Sequence, residues 1–433
     1  MKYYCIGIKG AGMSTLANIL SDLGNDVSGY DDTIKYKFTE EGLDKRGIKI
    51  YHEPHPIDSD TIVTYSKAFS IDHPEIKRVR ELGLTMRDYN QVVGDVTAMF
   101  ETIGVSGTHG KTTTSLLISD ILKNTVGCNY FVGDGTGYAD KKNKLFVIES
   151  DEFNKHFLAY HPTIAVITNI ELDHTECYPG GLEEIKDTFK KFGNKAEQVV
   201  ACGDDSNIRD IKFDKDVIYY GFNDNNNVVA KNVKLTDNGS KFDVYINNEL
   251  FDSYELPLFG KHMILNALAS IIIANRYNIN KEDIKKYISG FKGAKRRFKE
   301  EDISGYIIID DYAHHPTEIE VTIAAAKQKY PDKEIVAVFL PNTYSRTEAL
   351  MDDFVKALTK ADKAYIMDIY CDRERQSDYP SVNSDALIKR IKNSEKISID
   401  TVDKLLKHKG SVICFMSCTN IYLILDEFKK RIR

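Results

Sequence analysis

Between Gly104 and Thr114 the chain reads Gly-Val-Ser-Gly-Thr-His-Gly-Lys-Thr-Thr-Thr, residue types that suit polyphosphate binding. Thr102 to Val105 has the composition of a buried strand's end, and Ser115 to Leu122 has the apolar spacing of a helix. A glycine-rich turn between strand and helix aims several backbone N–H groups into one concavity, at the positive end of the helix dipole. Lys111 adds a point charge for the outer phosphates, and Thr112 a hydroxyl ligand for Mg²⁺. The general pattern places a glycine where Val105 stands; here the glycines fall at 104 and 107. Gly-Lys-Thr in this context selects a nucleotide triphosphate site over an ordinary turn.

Two further strand ends carry groups that would complete the site. Leu145 to Ile148 ends in Glu149-Ser150-Asp151-Glu152, and Thr163 to Thr168 ends in Asn169-Ile170-Glu171-Leu172-Asp173-His174. Open parallel sheets bind ligands beyond the carboxyl ends of their strands, so both turns are expected on the edge that carries Lys111. Mg²⁺ takes oxygen ligands, which makes Thr112 and Glu149 its candidates. His174 could hold a second metal ion or a phosphate oxygen. Asp151 and Glu152 read equally as site carboxylates or as a solvated turn. Arg297 reads either as a clamp for ATP phosphates or as a surface cation. His314 and His315, before Pro316, could orient a substrate or cap the next helix. Arg346, in Tyr344-Ser345-Arg346-Thr347, suits a small substrate's carboxylate.

These groups need three α/β units to position them. Lys2 to Ile8 reads as a strand, Gly7-Ile8-Lys9-Gly10-Ala11-Gly12 as a turn, Met13 to Leu23 as a helix and Asp26 to Tyr30 as a strand ending at Asp31. This is a βαβ opening of Rossmann type, with Lys9 where the dinucleotide fingerprint needs glycine, so another diphosphate suits the turn at least as well as NAD. Strand Ile62 to Ser66 and helix Pro74 to Leu82 complete a first domain at 1–97. The second, 98–297, contains the phosphate loop, a small antiparallel insertion with turns at Asn223 to Asn227 and Asn247-Asn248, and a helix from Met263 to Arg276. The basic segment Gly293 to Phe298 reads as a hinge. The third domain, 298–433, has strands Tyr306 to Ile309, Glu334 to Leu340, Lys363 to Met367 and Ser411 to Phe415, with a helix from about Glu348.

At 433 residues, two or three domains are expected. Lys+Arg 58 against Asp+Glu 65 gives a net charge of −7, which excludes a global field recruiting nucleic acid. No apolar run reaches membrane-spanning length, and the first residues enter a strand rather than a signal peptide. Seven scattered cysteines, without a Cys-x-x-Cys pair, suit reduced thiols in a cytoplasm.

The chain resembles the Mur ligases. The resemblance rests on Gly104 to Thr114, Glu149 to Glu152, Asn169 to His174, Gly260-Lys261-His262 to Asn266, Lys295-Arg296-Arg297-Phe298, Asp310 to Glu318, Tyr344 to Thr347 and Asp368-Ile369-Tyr370, in family order. It implies a three-domain α/β fold: a Rossmann-like UDP-sugar domain, a central ATPase-like domain with the phosphate loop, and a Rossmann-like domain for an amino acid. It implies an ATP- and Mg²⁺-dependent carboxylate–amine ligase of peptidoglycan precursor synthesis, a cytoplasmic monomer or homodimer. Within the family, the match implies an enzyme that would join L-alanine to the lactyl carboxylate of UDP-N-acetylmuramate through an acyl phosphate. Gly7, Gly10, Ala11, Gly12 and Met13 would lie against the UDP-sugar diphosphate, with Asp31 and Ser66 nearby. Gly107, Thr108, His109, Gly110, Lys111, Thr112, Thr113, Asn266 and Arg297 would hold ATP. Glu149 and His174 would join Thr112 as metal ligands, and Tyr312, His314 and Arg346 would meet the amino acid. Lys111, His174, His314 and Arg346 would be catalytic. Lys9, Met263, Asn342-Thr343 and Ser417 to Asn420 depart from the family pattern. Lys9 is expected to face the sugar nucleotide and Asn342 the amino acid. These departures leave open a muropeptide-recycling ligase, or a relative acting on another nucleotide-linked carboxylate.

Overall fold

The computed structural model describes residues 1–371 and 374–433. Three sheets follow one another along the chain. The first runs Lys49–Tyr51, Asp26–Tyr30, Lys2–Ile6, Thr61–Tyr65, Thr85–Asp88, with every neighbour parallel. Strand order reverses between Lys2–Ile6 and Thr61–Tyr65, the place where open sheets form ligand crevices. Gly7 and Ser66 leave the two strands there. A Cβ on Gly7, whose φ is +81°, would lie 2.9 Å from the Phe69 ring and 3.0 Å from Ser66 Cβ, so no other residue fits without displacement.

The second sheet has ten strands. From one edge they are Glu249–Leu256, Gly239–Ile246, Val228–Thr236, Asp216–Gly221, Gln198–Cys202, Ile164–Ile167, Glu101–Ser106, Leu145–Glu149, Cys128–Phe131 and Gly137–Tyr138. The strand leading into the phosphate loop is thus flanked by the two strands whose ends carry the acidic turns, both parallel to it. The expected antiparallel insertion exists, but its strands continue the central sheet, because Val228 pairs with Tyr220 in parallel register. Asn247 and Asn248 turn its last hairpin at φ +48° and +70°. The helix after the loop spans Lys111–Lys123 and starts four residues before the expected Ser115. Thr113 and Thr114 are buried without being apolar, which hides the helical period there.

The third sheet runs Lys299–Ile303, Tyr306–Asp311, Val412–Met416, Ile335–Phe339, Lys363–Ile366, Ser394–Lys396, with only the first pair antiparallel. Lys299–Ile303 was not expected as a strand: it is Lys-Glu-Glu-Asp-Ile, a charged edge that blunts further pairing. Helix Tyr344–Ala349 places Arg346 on a helix where the sequence suggested a loop.

One apolar cluster is continuous from the first sheet into the second, taking in Cys5, Leu16, Ile103, Phe146 and Ile271. The third sheet packs its own clusters, around Ile309 and Phe339 on one face and Ile308 and Val338 on the other. It is joined to the second unit by hydrogen bonds. Gly260 N–H donates to Gln328 Oε1 at 2.8 Å, and Gln328 Nε2 donates to the carbonyls of Thr236 and Gly239 at 2.9 Å each. All seven cysteines are free thiols. Among the described residues, no helix is long and apolar enough to cross a membrane.

Candidate active site

Two glycines of the phosphate loop stand where neighbouring side-chain oxygens leave no room for a Cβ. Gly107 has φ +138°, and a Cβ on it would lie 2.0 Å from Thr168 Oγ1; on Gly110, at φ +83°, it would lie 2.8 Å from Asn266 Oδ1. Asn169 fixes the far side: its Oδ1 accepts from His109 N–H at 2.8 Å, its Nδ2 donates to His109 O at 2.9 Å, and its carbonyl accepts from Thr108 N–H at 3.0 Å. Asn266 sits on helix Lys261–Arg276, with its Nδ2 3.8 Å from Met263 Sδ, so Met263 stands behind the loop's support.

Lys111 Nζ donates to the carbonyl of Gly107 at 2.6 Å and lies 2.9 Å from Glu152 Oε2. Burial opposes its charge, but Glu152, Asp151 and Glu149 outweigh that and hold the ammonium above its ordinary value. Glu149 Oε1 accepts from Thr112 Oγ1 at 3.0 Å, and its Oε2 accepts from Gly133 N–H at 2.7 Å. Burial raises both the Glu149 and the Glu152 carboxyl, with Lys111 opposing. The acidic pair left open in the sequence therefore divides. Glu152 is buried against Lys111, whereas Asp151 is exposed and accepts from Phe153 N–H. His174, at φ +52°, packs edge-on against Phe153 with ring centroids 5.0 Å apart. Burial lowers the His174 value, but Glu176, Asp173, Glu152 and Asp151 raise it overall. Lys111 and Glu149 thus share one sheet edge, and His174 is tied to that edge through Glu152 and Asp151. The donors there are a hydroxyl, carboxylates and one imidazole, predominantly the hard oxygen set that magnesium takes, so the residues present fit that ion.

Beside this edge is a cavity of about 320 Å³, its lining including His174, Tyr312, His314, Asn342, Arg346 and Cys418. The three expected amino-acid residues are therefore together, and His174 joins them to the phosphate edge. Arg346 Nε donates to Asp173 Oδ1 at 3.0 Å and Nη1 to Asn342 O at 2.7 Å. Despite burial, Arg346 and three neighbouring histidines hold Asp173 far below the usual carboxylate range.

The N-terminal set occupies a separate turn. Gly10 faces only the Gly7 carbonyl, and Tyr89 Oη lies 2.7 Å from where a Gly12 Cβ would sit. The Met13 side chain is in the core. Asp31 is buried and accepts from Lys9 N–H and Thr33 N–H, at 3.0 Å each. Ser66 Oγ accepts from Ala68 N–H. A Cβ on Gly135 would lie 4.0 Å from Ala11 Cβ, and the same segment's Gly133 binds Glu149, so this turn adjoins the central edge. The expectation that Lys9 faces the sugar nucleotide is wrong. Its side chain is 1% exposed, and Nζ lies 3.0 Å from Glu40 Oε1 and 2.6 Å from Thr33 O. A long cation can satisfy itself on loop carbonyls and a buried carboxylate, and spacing alone does not show this.

A second cluster spans the seam between the central and third units. His109 Nε2 lies 3.2 Å from His315 Nδ1 and 3.6 Å from Glu171 Oε2; its Nδ1 lies 3.5 Å from Glu318 Oε1. Burial disfavours charge on His109, but Glu171 and Glu318 raise it to about 9. Burial and the facing His109 push His315 down to about 4. His315 caps helix Pro316–Lys329, the second of the two roles open in the sequence. Arg297 Nη1 pairs with Glu318 Oε1 at 2.9 Å, and its guanidinium lies 5.3 Å from the Tyr312 ring centre. His314 Nδ1 lies 3.0 Å from Glu318 Oε2. Sequence reasoning missed Glu171, Asp173 and Glu318 as individual contacts. Their only signal was that each follows a strand's carboxyl end, within the quoted motifs.

Three α/β sheets around a phosphate loop, with a cleft at the seam between the second and third, define a multidomain nucleotide-dependent enzyme scaffold. Family models match along the chain: "Mur ligase family, catalytic domain" over 2–101, "Mur ligase middle domain" over 105–274, and "Mur ligase, glutamate ligase domain" over 296–417. The chain belongs to the Mur ligase family. It is 40% identical over 433 residues to the UDP-N-acetylmuramate–L-alanine ligase of Limosilactobacillus reuteri, covering 100% of this chain and 99% of the relative. To the enzyme of that name from Lactiplantibacillus plantarum it is 42% identical over 426 residues, covering 97% and 96%. The crystal structure of UDP-N-acetylmuramate–alanine ligase MurC from Thermotoga maritima superposes with a TM-score of 0.80 at 26% identity, covering 100% and 99%.

Proposed function

We propose that this chain is an ATP-dependent ligase joining L-alanine to the lactyl carboxylate of UDP-N-acetylmuramate, in peptidoglycan precursor synthesis. The observation that carries the substrate assignment is identity of about 40% along the whole length of relatives bearing that name. The domains run 1–97, 98–297 and 298–433. The backbone N–H groups of Ala11, Gly12 and Met13, at the start of helix Ala11–Asp22, receive the UDP-sugar diphosphate; Gly7 and Gly10, whose own N–H groups donate to Tyr30 O and Gly7 O, shape the turn against it, with Asp31 ordering the adjoining loop and Ser66 closing the turn. Gly107 to Thr113 wrap the ATP phosphates, supported by Asn266 and Arg297. Thr112, Glu149 and His174 would hold magnesium, which supplies positive charge against the triphosphate oxygens.

In the first half-reaction the lactyl carboxylate attacks the γ-phosphorus. The bond to the β-bridging oxygen breaks, giving ADP and an acyl phosphate. Lys111 gives up its bonds to the loop carbonyl and Glu152 to meet the charge developing on the transferred group. In the second, the amine of L-alanine attacks the acyl carbon, expelling phosphate and losing a proton. Arg346, released from Asp173, pairs with the alanine carboxylate, while Tyr312 and His314 line its approach. Closure of the polar seam keeps water from the acyl phosphate.

The test is phosphate release from ATP with each substrate withheld in turn. Release should require both UDP-N-acetylmuramate and L-alanine. Release with a tripeptide but not with alanine would reassign the chain to muropeptide recycling, and none with any amino acid would reject the substrate pair.

A further inference from the structure

The cluster at the seam has the geometry of a transition-metal site. His109 Nε2, His315 Nδ1 and Glu171 Oε2 stand 3.2, 3.5 and 3.6 Å from one another. A tetrahedral zinc with nitrogen and oxygen ligands at about 2.0–2.1 Å holds them roughly 3.3–3.4 Å apart, so the triangle matches one face of that tetrahedron. The ligand types, two imidazoles and a carboxylate, are those of open zinc sites. A third feature is the support behind them: Glu318 Oε1 lies 3.5 Å from His109 Nδ1, where a carboxylate orients a metal-bound imidazole. Thr317 Oγ1 donates to Glu171 Oε2 at 2.6 Å and fixes that carboxylate. His315 is 4% exposed and its Nε2 has no partner, so the polar contacts of this buried ring run through Nδ1, toward His109 and Glu171; the 3.4 Å contact from the helix N–H of Thr317 uses the same lone pair and would be displaced by an ion.

We propose that His109, Glu171 and His315 form a zinc-class metal site, separate from the magnesium ligands, with solvent in the fourth position. His109 and Glu171 belong to the central unit and His315 to the third, so a bound ion clasps the two across a seam that the Gln328 hydrogen bonds and the Arg346–Asp173 ion pair also bridge. His109 also stands in the phosphate loop, which couples the clasp to the nucleotide: an ion held there draws the ring toward His315. Zinc is thus expected to act as an inhibitor that locks the units together.

Cobalt(II), a spectroscopic stand-in for zinc, is titrated into metal-free full-length protein without nucleotide. One equivalent should bind with the intense visible absorption of tetrahedral cobalt, be displaced by zinc and raise the melting temperature. A lost supporting group costs a site about 10–100-fold in affinity, so losing a ligand in His315→Ala or Glu171→Gln should cost about 100-fold or more. Glu149→Gln should leave the binding unchanged. A weak octahedral spectrum, no binding, or binding that Glu149→Gln abolishes and the other two variants retain would each overturn the proposal. Circular dichroism in metal-free buffer checks the fold. Should His315→Ala not fold, Glu171→Gln carries the same test from the other unit.

Discussion

Two glycine-rich turns, Gly7–Gly12 and Gly104–Lys111, each join a buried strand to a helix in this chain, and each contains a lysine. They use it in opposite ways. Lys9 turns inward and pins the Thr33–Lys35 carbonyls and Glu40 beneath the turn. The N–H groups of Ala11, Gly12 and Met13, in the first turn of helix Ala11–Asp22, have no carbonyl partner within the helix. Lys111 lies among Glu149, Asp151 and Glu152 and is paired with the last. On the proposed function, the first turn holds a diphosphate that does not react and the second a triphosphate that does. Glycine spacing sets up an anion site, and the surrounding carboxylates decide whether its lysine does chemistry.

Substituting the two lysines separates these roles. Lys111→Ala should lower kcat by about three orders of magnitude or more, on the order of 4 kcal/mol of transition-state stabilisation, and should also lower the melting temperature, because Glu152 is left buried without its cation. Lys9→Met should act on stability alone: leaving the buried Glu40 without its cation costs about 3–5 kcal/mol, read by urea titration, while kcat in the folded fraction persists. A Lys9→Met protein that folds normally but fails to turn over would break the contrast. Arg346→Ala should raise the KM for L-alanine by roughly 2 kcal/mol or more and leave the KM for ATP nearly unmoved. Equal effects on all substrates would make Arg346 structural, through Asp173.

A titration at the seam gives the remaining test. His109 is raised from 6.5 to about 9 by Glu171 and Glu318, so its protonated form stabilises the folded state. That stability is complete below about pH 6.5 and is lost as pH rises through about 9. His315, Arg297 and His262 face the same cluster, but His315 and His262 are pushed down to about 4 and Arg297 stays charged, so none changes charge in that window. Metal-free protein should therefore melt earlier across that window, and His109→Gln should flatten the dependence.

The phosphate loop, the flanking strand ends and the three α/β units were legible because they rest on local features: glycine at strand–helix turns, apolar runs and acidic residues after them. What was not legible depended on choice of partner. Nothing local to Lys9 says that it points at Glu40, and nothing near Glu171 or Glu318 says that they converge on one histidine from different units. The acidic edge strand Lys299–Ile303 and the polar first turn of Lys111–Lys123 were hidden for the same reason, since tertiary contacts supply what their composition lacks.

The central claim is that ATP and the acceptor carboxylate react at the Lys111 edge before the amine takes part. Positional isotope exchange in ATP, labelled at the β,γ-bridging oxygen, tests it most directly. Scrambling should require UDP-N-acetylmuramate but not L-alanine, vanish in Lys111→Ala and survive in Arg346→Ala. Scrambling without the sugar nucleotide, or undiminished in Lys111→Ala, would contradict the account.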